Sequence, residues 1–135
     1  MTFNRRQLVL ATTAVLVLGS AHAAGVTDTE IVLGTHLDLT GPTAAGSPML
    51  RNAMQMRIDE ANAAGGVHGR KLRLITEDNG SQPQMAVRAI DKLIRKDEVF
   101  AVINPFGSAT NAAVVKRAVD EGVIGSLLVA EGTEG

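Results

Sequence analysis

The chain has 135 residues, no cysteine and a formal net charge of −1, with 13 basic against 14 acidic residues. Residues 1–23 carry two arginines and no acid, so the chain that follows them is more acidic still. Its lysines and arginines are scattered, in pairs at most, which argues against a nucleic-acid partner and against a membrane-binding patch.

Residues 1–23 read as an export signal. Arg5 and Arg6 form a positive start, Leu8–Leu18 is an apolar stretch, and Ala21-His22-Ala23 has the small-residue cleavage pattern. The apolar stretch is short for a bilayer span. Asn4-Arg5-Arg6-Gln7-Leu8-Val9 resembles a twin-arginine signal, and an ordinary Sec signal is the other reading. An exported fold without cysteine must be held by core packing, and a lipoprotein would need a cysteine at the cleavage site. The remainder, residues 24–135, is the length of one small domain. It has neither Tyr nor Trp and few Phe. Aromatic groups dominate binding energetics, so their scarcity points to a small polar ligand or to missing chain. Glu131–Gly135 follows directly on an apolar run, and the expectation is a truncated chain.

Ile31–Leu37 is rich in β-branched and apolar residues, as a strand buried on both faces should be. Asp38–Pro48 reads as a loop. The pattern at Leu50, Met54, Ile58 and Ala61 predicts a helix over Met49–Ala64, stopped by Gly65-Gly66. Lys71–Glu77 is predicted as a second strand, with Leu72, Leu74 and Thr76 on one face. A second helix is predicted over Gln84–Lys96, with Val87, Ile90, Leu93 and Ile94 inward, and a third strand over Val99–Ile103. Ser108–Glu121 reads as a third helix with Ala112, Val115, Ala118 and Val119 inward, and Val123–Val129 as a fourth strand. This βαβαβαβ alternation predicts an α/β fold, a three-layer doubly wound parallel sheet. Ligands of such sheets bind beyond the carboxyl ends of the strands, where strand order reverses. For a 2-1-3-4 order the loops to inspect are Asp38–Pro48 and Asn104–Ser108.

Asn104-Pro105-Phe106-Gly107-Ser108 joins a strand to a helix, and Ser108 reads as the helix N-cap. Free N–H groups and the positive dipole end behind it suit a carboxylate. The alternative is that Ser108 only caps its own helix. Thr40–Ser47 lacks a phosphate-binding glycine pattern, so its hydroxyls are read as bonding local backbone. Glu77-Asp78 ends a strand, where acids commonly cap the next turn. No His pair at helical spacing indicates a metal site, and Ser108 has no nucleophile setting. No catalytic residue, cofactor or metal is assigned, and an enzyme is not expected.

Several segments, in order and spacing, resemble a known family. They are Glu30–Gly34, Leu39-Thr40-Gly41-Pro42, Asn62–Leu72 with its Gly65-Gly66-Val67-His68-Gly69 turn, Glu77-Asp78, and Val102–Ser108. Together they resemble the first lobe of the periplasmic leucine/isoleucine/valine-binding proteins, the type I solute receptors of ABC importers. The resemblance implies an incomplete N-terminal lobe over residues 24–135. It also implies a small-molecule ligand such as an amino acid, an inner-membrane ABC permease as partner, and a periplasmic location. In that family the first lobe holds the ligand's carboxylate and ammonium groups. This assigns ligand contact to Ser108 with Gly107, to Phe106 for the ligand side chain, and to Thr133 and Ala130 after the fourth strand. Thr133 lies about two residues beyond the family spacing. The family's first-loop aromatic falls here at Gly46 or Ser47, which leaves amides, urea, aromatic acids and other solutes open beside branched-chain amino acids. A sensor ectodomain of the same fold and a Rossmann-like enzyme are the alternative readings. An open apolar edge at Ile124–Val129 leads to an expectation of marginal stability and association.

Overall fold

A computed structural model describes residues 23–123. Residues 1–22 of the signal segment, Ile124–Val129 of the expected fourth strand, and Ala130, Glu131 and Thr133 lie outside the described residues. The elements are β1 (Glu30–Leu37), α1 (Ser47–Ala63), β2 (Lys71–Asp78), α2 (Pro83–Arg95), β3 (Ala101–Val102) and α3 (Ser108–Asp120). The strands are parallel in the order β2-β1-β3, as the alternation requires. β1 is central and pairs with β2 along its whole length, from Glu30↔Lys71 to Leu37↔Asp78.

Strand pleating separates two layers. Val32, Gly34 and His36 face α2 and α3, while Leu33, Thr35 and Leu37 face the side of α1. The larger core lies on the first side. It joins Val32 and Val102 to Ala86, Ile90 and Leu93 of α2, and to Val114 and Ala118 of α3. Gly34 lets α2 lie close. A Cβ there would stand 3.0 Å from Leu93 Cδ2 and 3.2 Å from Val99 Cγ1. The ion pair Arg117–Asp91 and the looser Arg95–Glu121 pair at 3.7 Å tie α3 to α2. Lys92 bridges Glu77 of β2 and Asp97, the latter at 3.2 Å.

Three sequence expectations need correction. β3 is much shorter than Val99–Ile103, because the Val99 N–H donates to Leu93 O at 3.0 Å and closes the end of α2. Contacts to β1 nonetheless extend beyond the regular strand, from Phe100 N–H to Val32 O and from Ile103 N–H to Gly34 O, both 2.8 Å. α1 begins at Ser47, with Pro48 in its first turn where a missing N–H costs nothing. α3 buries Ala118 as predicted, but Ala112, Val115 and Val119 of the predicted face are exposed. Thr110, Asn111, Val114 and Ala118 are buried, while Val115 is 39% and Val119 69% exposed.

On the other side of the sheet, Ile58 of α1 is buried, but Leu50 and Met54 are half-buried. With Ala53, Leu72 and Ile103 they line an apolar groove of about 360 Å³. The C-terminus of α1 is anchored to β2 by Asn62. Its amide donates to Leu72 O at 2.9 Å and accepts from Leu72 N–H at 2.7 Å, as a neighbouring strand would. The turn between them depends on Gly66. Its φ is +77°, and a Cβ would stand 2.0 Å from Arg70 O. Gly66→Ala should therefore lower stability by more than ~1 kcal/mol, measured as the change in urea unfolding free energy. An unchanged midpoint would remove Gly66 from the account of this turn.

Candidate functional site

The loops after β1 and β3 flank the central strand at the carboxyl edge of the sheet. β1 feeds α1 toward β2 on one side, and the chain returns to β3 on the other, so the switch point at which sheets of this kind bind ligands lies between the two loops.

The first loop is organised by two carboxylates. Asp38 is fully buried and accepts from Gly41 N–H at 2.5 Å, Thr43 N–H at 2.7 Å, and the hydroxyls of Thr43 and Ser81, each at 2.7 Å. Burial alone would raise its pKa, but hydrogen bonds from Thr43, Ser81 and Gly41 outweigh that and hold it at about 2. Asp78 accepts from Leu39 N–H at 2.9 Å, Thr40 Oγ1 at 2.5 Å and Gly80 N–H at 2.9 Å. Burial and the nearby Asp38 push Asp78 upward, yet the bonds from Thr40, Leu39 and Gly80 leave it below the usual carboxylate value. Thr40 and Thr43 are thus bonded to acids at two strand ends, not to local backbone as the sequence reading had it. Asp78 does cap the following turn.

The second loop carries three of the five sequence-predicted ligand residues, Phe106, Gly107 and Ser108. Gly107, not Ser108, occupies the N-cap position of α3, and no side chain caps that end. Ser108 is the first helical residue and is exposed. The hydroxyl of Thr110 turns back to Phe106 O at 3.0 Å and Gly107 O at 2.9 Å. Gly107 has φ +111°, and a Cβ there would stand 2.4 Å from Thr110 Oγ1. The turn therefore requires glycine. Phe106 is 40% exposed. The structure thus brings Phe106, Gly107 and Ser108 to one helix end, whose first N–H groups have no acceptor within the helix. Ala130 and Thr133 lie outside the described residues.

Sequence reasoning missed a buried group beneath this loop. His36 is fully buried, and its Nδ1 lies 3.0 Å from Asn79 Nδ2. The amide nitrogen can only donate, so Nδ1 accepts and the imidazole proton sits on Nε2. Nε2 has no hydrogen-bond partner among the described residues. Burial lowers the His36 pKa from 6.5 to about 4.

These groups set an acid response. The pKa of His36 is depressed on folding, so its contribution to stability is complete above pH 6.5 and is lost as pH falls through 4. The shift corresponds to about 3 kcal/mol. Asp38 and Asp78 add a further loss below 3.8, the value they leave on folding. Urea midpoints should fall between pH 7 and pH 4, and His36→Gln should flatten that slope. An unaltered slope in the variant would assign the loss elsewhere.

The geometry can be set beside known proteins. Residues 30–133 match the family described as periplasmic binding protein. An amino acid binding protein of Pseudomonas aeruginosa is 31% identical over 123 residues, covering 90% of this chain and 31% of that one. Among solved structures, the branched-chain amino acid transporter substrate-binding protein LivJ of Streptococcus pneumoniae, in complex with isoleucine, superposes with a TM-score of 0.68 at 31% identity. That match covers 72% of this chain and 28% of LivJ. A fatty acid ABC transporter substrate-binding protein from Thermomonospora curvata gives 0.66 at 33% identity, over 77% of this chain and 27% of that one. The chain thus spans about a third of the length of these relatives. Its layers and strand order are part of the type I periplasmic binding protein fold. Over three-quarters of its length, from the first residue of β1 onward, this chain belongs to the periplasmic binding protein family.

Proposed function

We propose that this chain is the N-terminal lobe of an exported solute receptor that delivers its ligand to an inner-membrane ABC permease. Family membership implies a periplasmic location and a solute-binding role. The export signal over residues 1–23 accords with both. The lobe occupies residues 24–135.

The observation that carries the ligand reading is the exposed N-terminus of α3 at the carboxyl edge of the sheet. Ser108 and Gly107 stand there on a turn that only glycine can make. The positive end of a 13-residue helix favours a carboxylate. Ser108 supplies a hydroxyl and an N–H, Gly107 allows close approach of the backbone, and Phe106 offers an apolar surface to the ligand side chain. Ala130 and Thr133, outside the described residues, are proposed as further ligand contacts on the family resemblance alone. Two structural relatives support a carboxylate as the shared element. One is bound to isoleucine and the other is named for fatty acids, and both ligand types carry that group on different apolar bodies. The ligand favoured on this ground is a branched-chain or related amino acid or a small carboxylate, with an amide as the alternative that the helix end alone would also accept.

A single lobe leaves half of such a ligand in water and forgoes the contacts that closure would add. Titration of the isotope-labelled chain with L-leucine, followed by amide chemical shifts, should show millimolar binding centred on residues 106–109. Ser108→Ala should weaken it about fivefold, the value of one hydrogen bond near 1 kcal/mol. Shifts that avoid residues 106–109 would sink the site. A tight stoichiometric complex by calorimetry would sink the single-lobe reading.

A further inference from the structure

We infer that Asn79 is a positioning residue for the ligand loop, holding the Phe106 peptide in place through the side-chain amide that also engages His36. This inference rests on the reading of Phe106–Ser108 as the ligand site and names what fixes its geometry.

Asn79 is fully buried one residue beyond β2, and every polar group it has is engaged. Its N–H donates to Leu37 O at 2.8 Å, fixing it to the end of β1. Its carbonyl accepts from Gln82 N–H at 2.8 Å, and its Oδ1 accepts from Ser81 N–H at 2.9 Å. That last bond sets the orientation of the amide, because a flipped group would present N–H to N–H. Nδ2 then has two hydrogens and two acceptors, His36 Nδ1 and Phe106 O, each at 3.0 Å.

The Phe106 backbone is held on both sides of its α-carbon. Its N–H donates to His36 O at 3.0 Å, and its C=O accepts from Asn79 and from Thr110 Oγ1. The Phe106 C=O lies in one peptide plane with the Gly107 N–H, where the chain turns into α3. The bonds to that oxygen therefore fix where the Gly107 N–H points, at the entry to the Ser108 turn. Asn79 reaches that oxygen across 27 residues of sequence and reaches His36 across 43. The buried amide thus joins the ends of all three strands beneath the proposed carboxylate site. A carboxylate in its place keeps the acceptor for Ser81 but faces Phe106 O with negative charge and no donor.

The test compares the wild-type chain with Asn79→Asp, using three readouts. Long-range nitrogen–proton spectra of the His36 ring should report the proton on Nε2 in the wild type and on Nδ1 in the variant. Hydrogen exchange of the Phe106 amide should accelerate at least tenfold, while that of Ile103, bonded to Gly34 O, should stay within about twofold. The L-leucine-induced shifts at Gly107 and Ser108 should disappear. Unchanged Phe106 exchange would overturn the inference, as would a variant that retains the leucine shifts at full amplitude. A wild-type chain without leucine shifts would instead defeat the ligand reading, and Phe106 exchange would still decide whether Asn79 holds the loop. If Asn79→Asp does not fold, Asn79→Ser serves. Its hydroxyl can keep the local turn to Ser81 but is too short to reach His36 and Phe106, and the same exchange criterion applies.

Discussion

A parallel strand that ends inside a protein leaves backbone groups at its tip that neither the ladder nor a helix satisfies. At the carboxyl edge of this sheet those groups are met by three polar side chains, Asp38, Asp78 and Asn79. Each sits at or just past a strand end and bonds to the loop that departs from it. The two acids take up N–H and hydroxyl donors of the first loop. The amide, which can donate as well as accept, reaches across to the carbonyl of the second. Acids organise donors and an amide is needed where an acceptor must be met, so the residue types follow from the polarity of the groups they serve. Two neighbouring carboxylates repel one another, and the cost is offset because each is surrounded by donors.

Much of the architecture could be read from residue order. The alternation of apolar runs with helical stripes identified all six described elements, and α2 buries Ile90 and Leu93 as its pattern implies. The face of α3 was misread because the pattern weighted valine. In the structure the helix turns Val114 and Ala118 inward and also buries Thr110 and Asn111, whose side chains bond to the preceding loop. Polar residues near a helix start can be buried when they satisfy a turn, and hydropathy does not register that. The site was legible in part for the same reason. Gly107 and Ser108 announce a strand-to-helix turn, whereas His36 resembles any histidine in a strand. The local half of Asn79's role, an amide two residues ahead of Ser81, is a turn signature. Its long-range half exists only after three strands are assembled.

The apolar surface is distributed unevenly. The side of the sheet facing α2 and α3 is closed by a continuous core, while the α1 side leaves a groove bounded by Leu72 and Ile103. Val115 and Val119 likewise lie open on α3. In a doubly wound sheet both faces are normally covered, and the relatives matched here are about three times as long. The stability of the described part therefore rests chiefly on one layer.

That dependence gives Gly34 a role beyond packing. The distance between α2 and the sheet is set at the middle of the central strand by the absence of a methyl group. α3 packs against α2 through the shared core of Ile90, Leu93, Val114 and Ala118, so the placement of one helix bears on that of the other. The N-terminus of α3 borders the proposed crevice at the second loop. Gly34 thus acts as a spacer of zero thickness: a single methyl in the middle of the central strand would reach Leu93 and Val99 and push on the layer from which the proposed crevice is built.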